Sequence, residues 1–164
     1  MSLLVVLLVY HSIERYIKET YVKPFIKREI EPVAFKQGTL YLPDDIRDEF
    51  TSLLRYIKDN TKEGEKIYIG SLSHNVPRYG WFDLLYFLSE RLPAVRHYFI
   101  LPGFQSRQDI QEEMIESLKQ NNTRLLLLRD YGDTATLGPL DKYIRTEYKL
   151  VTIIYSYHIY AKKR

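Results

Sequence analysis

Four consecutive leucines, Leu125–Leu128, set between charged residues in the segment RLLLLRD, constrain this chain more than any other feature. An amphipathic helix spaces its apolar residues three and four apart, and a half-buried strand alternates them. An unbroken apolar run this short reads instead as a strand covered on both faces. The rest of the chain must then supply two covering layers. With 164 residues and 45% hydrophobic content, it is long enough to bury a core as one domain, or as one domain plus a short appendage.

From Gly38 onward the punctuation supplies those layers. Thr39–Leu42 reads as a short extended piece closed by Pro43. Asp44 and Asp45 then offer an N-cap to a helix with apolar residues at Ile46, Phe50, Leu53, Leu54 and Ile57. Lys66–Ser71 reads as a strand, Trp81–Glu90 as a short apolar helix, and His97–Leu101 as a second strand beyond the stop at Pro93. Another helix begins near Ser106, with Asp109 in a capping-box-like position and Ile110, Met114, Ile115 and Leu118 as its buried stripe. Asn121–Asn122 ends it. Pro139 opens a last helix, and KLVTIIYSYHIYAKK reads as a long strand or a hairpin about Ser156–Tyr157. The expected fold class is α/β: a three-layer open sheet, mostly parallel, with a C-terminal antiparallel strand or hairpin.

The first 35 residues have a different character. Leu3–Tyr10 are eight consecutive apolar residues. As a helix they span roughly 12 Å, against a bilayer core of roughly 30 Å. They read as a helix docked on the domain, as the tail of a membrane helix, or as a signal-like segment without the usual basic flank. Residues 11–35 read as a helical or irregular arm broken by Pro24 and Pro32. It is basic through Arg15, Lys18, Lys23, Lys27 and Arg28, and interspersed with Glu14, Glu19, Glu29 and Glu31. The expected organisation is an apolar stub and basic juxtamembrane-like arm over 1–35, then a single α/β soluble domain over 36–164.

Several chemistries are excluded. The chain has no cysteine, so it holds no disulfide scaffold, cysteine zinc site, iron–sulfur cluster or thiol nucleophile. A net charge of +3, from 24 basic and 21 acidic residues, gives no mandate for nucleic acid. The Walker, GxGxxG, GxSxG and HExxH patterns are missing, and His11, His74, His97 and His158 lack metal-ligand spacing. No catalytic residue, cofactor or metal is expected. What remains is a set of polar residues at the carboxyl ends of strands, where open α/β sheets bind ligands. Ser71, Ser73, His74, Asn75 and Arg78 follow the first strand. Pro102, Gly103, Gln105 and Ser106 follow the second, and Asp130, Tyr131 and Asp133 the third. Arg91 and Arg96 flank Pro93 as a guanidinium pair suited to a phosphate or carboxylate, or else to helix-end carbonyls. The aromatic group Tyr79, Trp81, Phe82, Tyr86 and Phe87 suits sugar stacking, a membrane interface or a core.

Taken in order, these pieces resemble a known family. GEKIYIG (64–70) is followed by His74, LLYFLSERLPAVRHY (84–98) and LPG (101–103). Then come IQEEMIESL (110–118), RLLLL (124–128), LDKYIRTEY (140–148) and a β-rich tail. The set is similar to the soluble C-terminal domain of polytopic GT-C type glycosyltransferases related to dolichyl-phosphate-mannose protein mannosyltransferases. The family's His-Asp reads His74-Asn75 here. The resemblance implies a non-catalytic extracytoplasmic domain of an integral-membrane enzyme that takes its sugar from a polyprenyl-phosphate donor. It implies the transmembrane portion of the same polypeptide as partner, with a lipid-linked sugar or acceptor nearby. On it, Leu3–Tyr10 is the stub of a last membrane helix. A free-standing α/β module that binds a small polar or phosphorylated ligand is the alternative.

Overall fold

The computed structural model describes residues 30–72, 82–98, 104, 107–132 and 138–163. Leu3–Tyr10, the arm to residue 29, Ser73, His74, Asn75, Arg78, Tyr79, Trp81, Pro102, Gly103, Gln105, Ser106 and Asp133 lie outside them. The chain divides into two compact units, the first ending at Asp48 and the second running Glu49–Arg164.

In the first unit, β1 (Ile30–Phe35) and β2 (Gly38–Pro43) form an antiparallel hairpin. Residues 30–35 are thus a strand, where the sequence suggested a helical or irregular arm. Pro32 is compatible because a two-stranded ribbon leaves β1 an open edge, where no ladder N–H is required. The carboxylates of Glu31 and Asp44 both reach the Arg47 guanidinium. Helix α1 (Asp44–Asn60) begins in this unit and carries the buried residues Phe50, Leu53, Leu54 and Ile57 in the second.

The second unit holds β3 (Lys66–Ser71), α2 (Phe82–Ser89), β4 (Leu92–Pro93), α3 (Gln108–Gln120) and β5 (Leu125–Arg129). It continues with α4 (Pro139–Glu147), β6 (Tyr148–Ile154) and β7 (Tyr157–Lys162). Five strands form one sheet in the order β4-β3-β5-β7-β6. The first two pairings are parallel, and β5–β7 and β6–β7 are antiparallel. The sheet is therefore mixed, not the mostly parallel one expected. The cause is the C-terminal hairpin, which inserts β7 directly beside β5 and so supplies two of the five strands.

The leucine run behaves as its composition demands. Leu126, Leu127 and Leu128 are 0% exposed and Leu125 is 5%. Leu126 and Leu128 pack with Tyr68 against Met114 and Leu118 of α3 and Leu140 and Ile144 of α4. Leu127 points the other way, in register with Ile69 and Ile159, both also buried. On that face the Phe82 ring of α2 meets Tyr157 edge-on at 6.4 Å. Gly70 is required by close packing: a Cβ there would run into the phenol of Tyr68.

The described strand after α2 begins ahead of the expected second strand, His97–Leu101. Leu92 and Pro93 pair with Lys66 and Ile67, so the proline read as a stop is itself in an edge strand. His97 and Tyr98 belong to no strand, and residues 99–101 lie outside the described ones. Because β4 is so short, the edge of β3 needs another partner. The Tyr86 hydroxyl provides it, accepting the Ile69 N–H at 2.7 Å and donating to the Ile67 carbonyl at 3.3 Å. The helix end at Asn121–Asn122 stands as expected, with Asn122 in the left-handed region at φ 44°. Among the described residues no helix is long and apolar enough to cross a membrane.

Leu127→Ala is expected to cost about 2–5 kcal/mol, since the site is closed on both faces. Chemical denaturation reads that loss directly. Burial also holds the phenols of Tyr68, Tyr86, Tyr148 and Tyr157 above their ordinary value of 10.0. The unfolded chain loses those protons first as pH rises, so stability is complete below pH 10 and declines above it. Tyrosinate absorbance should show these phenols ionising together with unfolding. Gradual ionisation in a chain that stays folded would contradict their burial.

Candidate functional site

Because β3 and β5 are parallel, both bring their carboxyl ends to the same end of the sheet, and antiparallel β7 brings its start there. The last residue of β3 and the last of β5 are joined at that point. The Ser71 hydroxyl donates to the Arg129 carbonyl at 3.3 Å, and the Leu72 N–H donates to the same oxygen at 2.9 Å. Of the residues proposed from the sequence, the structure thus gathers Ser71, Asp130 and Tyr131.

Of these, the Tyr131 ring lies against the guanidinium of Arg129, the last residue of β5, while Ser71 reaches that residue's backbone carbonyl. The Arg129 guanidinium carbon lies 5.3 Å from the centre of the Tyr131 ring and 5.5 Å from that of Tyr157, on the geometry of a cation–π pair with each. One guanidinium nitrogen is 3.6 Å from Glu49 Oε1, which also accepts the Ser156 hydroxyl at 3.5 Å. The Arg129 Nε–H is buried with no acceptor among the described residues. Burial raises the Tyr157 phenol, and the Arg129 cation opposes that rise without reversing it.

Asp130 makes the rim. Its backbone N–H donates to the Ser156 carbonyl at 2.7 Å, tying β5 to the hairpin turn. Its Oδ1 accepts the Gly132 N–H at 2.8 Å, which turns the chain away from the strand, with Gly132 at φ 75°. Its Oδ2 lies 3.7 Å from His158 Nε2. The end of the sheet therefore offers a carboxylate, hydroxyls and a guanidinium within a few residues of one another. That mixture presents both hydrogen-bond donors and acceptors.

Arg91 and Arg96 lie elsewhere and differ from one another. Arg91 is 7% exposed. Its guanidinium donates to the Thr61 hydroxyl and carbonyl, each at 2.7 Å, and to the Ser89 carbonyl. It fastens the end of α2 to the loop after α1, which is the carbonyl-pairing role. Arg96 is exposed. Phe82 and Tyr86 are core residues, whereas Phe87 is 61% exposed. Among the described residues no group of three or more His, Asp or Glu side chains is placed to hold a metal ion.

Arg129→Met is expected to lower stability by about 1–3 kcal/mol, because Glu49 loses its cation. It should also push the Tyr157 phenol higher still. Arg129→Lys should recover only part of the stability, since an ammonium cannot lie flat between two rings. Melting curves and tyrosine titration of the two variants check this.

No protein-family model matches the sequence, and no curated protein matches it. Among solved structures, the chain is similar to the C-terminal globular domain of an oligosaccharyltransferase from Archaeoglobus fulgidus. The identity is 8% and the TM-score 0.42, over 70% of this chain and 97% of that one.

Proposed function

We infer that this chain is a non-catalytic extracytoplasmic domain of an integral-membrane glycosyltransferase that draws its sugar from a polyprenyl-phosphate donor. One observation supports the reading: the ordered sequence pieces that lie among the described residues fall, in order, on the successive elements of the Glu49–Arg164 unit. GEKIYIG enters β3, LLYFLSERLPAVRHY covers α2 and β4, and IQEEMIESL lies in α3. RLLLL leads into β5, LDKYIRTEY forms α4, and the tail forms the β6–β7 hairpin. Those pieces make up the framework of one sheet and its helices, in the order the sequence resemblance requires. The partners of this domain are then the membrane-spanning part of its own polypeptide and the lipid-linked sugar or acceptor.

A second reading, a module binding a small polar or phosphorylated ligand, is favoured by the placement of Ser71, Asp130 and Tyr131 at the end of the sheet that Arg129 occupies. It is compatible with the first, because an accessory domain can hold an acceptor.

In its native cells the polypeptide should remain in the membrane pellet after alkaline carbonate extraction and migrate well above 19.6 kDa, the mass of these residues. The purified natural polypeptide should transfer sugar from a polyprenyl-phosphate donor, and the isolated chain should transfer none. A carbonate-soluble protein of the mass of this chain would sink the proposal.

A further inference from the structure

The opposite end of β5 carries a second, differently charged feature. A cleft of about 630 Å³ opens there, and four cations line it: Arg124, Lys149, Lys162 and Lys163. No carboxylate is among its lining residues. Its volume lies within the roughly 300–1,000 Å³ of small-molecule sites.

The sheet register explains why the cleft exists. Lys149, Ala161 and Leu125 stand side by side on β6, β7 and β5, because Ala161 pairs with both of the others. The middle position of that row carries only a methyl group, so the floor is low between two taller neighbours. Next to it, the ladder shifts between Leu150 and Thr152, and Val151 is the extra residue that lines the cleft. Tyr56 and Asn60, from the last turn of α1, close the other side with polar groups.

The cations are held in different ways, and this decides which of them remain available to a ligand. Arg124 is fixed in a fork on Glu65, at 2.9 to 3.1 Å. Lys163 is committed to the carbonyls of Arg145 and Thr146 at the end of α4. Lys162 makes one hydrogen bond, to Asn122 Oδ1 at 2.9 Å, which positions its ammonium and leaves two of its N–H groups. Among the described residues Lys149 is in no ion pair. Two of the lining residues, Lys149 and Lys162, thus carry ammonium groups without carboxylate partners, beside the committed cations Arg124 and Lys163, two amides and a phenol.

We propose that this cleft binds a phosphate or diphosphate group carried on a small polar body, with Lys149 and Lys162 as the anion-binding cations. Ala161 is the floor on which the body of the ligand rests, and Asn122 holds Lys162 in place. The site is separate from the strand-end cluster: the four residue steps from Leu125 to Arg129 put it roughly 13 Å along β5. It does not rest on the transferase reading, since any phosphorylated small molecule or lipid headgroup presents the same chemistry.

The full chain is titrated with inorganic pyrophosphate while its backbone amides are followed by NMR. Shifts should concentrate at Lys149, Ala161 and Lys162. Lys149→Glu should weaken binding at least tenfold, and Lys58→Glu, outside the cleft, should leave it unchanged. Ala161→Leu keeps every charge and fills the floor, so it should also weaken binding at least tenfold, with melting curves confirming that each variant is folded. A second arm sediments the chain with phosphatidylcholine vesicles with and without phosphatidic acid. Sedimentation that needs phosphatidic acid and is lost in both cleft variants assigns the group to a lipid headgroup. A pyrophosphate response without sedimentation assigns it to a soluble ligand. Silence in both arms overturns the proposal, and so does binding that Ala161→Leu leaves intact, because that would be diffuse surface attraction.

Discussion

Burial of β5 on both faces is the interaction on which the second unit depends. Its four leucines are sealed on one side by Tyr68, Met114, Leu118, Leu140 and Ile144 and aligned on the other with Ile69 and Ile159. Removing roughly four leucine side chains from water contributes on the order of 6–12 kcal/mol before chain entropy is counted. That is comparable to the net stability of a whole domain. A strand so placed cannot be an edge, so it needs a neighbour on each side. β3 meets one requirement in parallel and β7 meets the other in antiparallel.

The two edges of the sheet are then managed separately. On the β4 side, two residues pair among the described ones, and the Tyr86 hydroxyl bonds the β3 backbone beyond them. On the β6 side, the irregularity at Val151 and the exposed Lys149 interrupt an otherwise apolar edge, a pattern that discourages pairing with another chain. The ends of β5 also differ in chemistry. At its carboxyl end Arg129 is held between two rings and a carboxylate, whereas at its start the cations outnumber the acids near them.

How much of this could be read from residues alone follows from the range of the interactions. The leucine run identified a doubly covered strand because composition and length suffice for that inference. The stripe Ile110, Met114 and Leu118 marked the buried face of α3, although Ile115 is only half-buried. Two prolines misled: Pro32 and Pro93 both lie in strands, and they are allowed there because those strands are edges, a property of the sheet and not of the local sequence. The helix start near Ser106 was read from a capping pattern, yet Arg107 occupies the cap without a side-chain bond and instead pairs with Asp109. The strand-end cluster was partly visible, since Ser71, Asp130 and Tyr131 follow strands. Arg129's contact with Tyr157 was hidden because it depends on hairpin register. The turn at Tyr155–Ser156 lacks the Asn-Gly or Asp-Gly signature that would have fixed that register, and Tyr155 takes the left-handed conformation at φ 51° in its place. The basic cleft was invisible for a related reason: Lys149, Ala161 and Leu125 are neighbours only across three strands.

The central functional claim is that this domain lies outside the cytoplasmic face of a membrane, attached to the enzyme that spans it. These residues contain no cysteine, so a single Lys58→Cys substitution on the exposed face of α1 gives a specific chemical handle. The decisive measurement is labelling of that thiol in intact cells by a membrane-impermeant maleimide, compared with the unsubstituted polypeptide. A domain on the extracytoplasmic side is labelled, on a membrane-bound polypeptide, without lysis. Labelling that appears only after the cells are broken would contradict that placement.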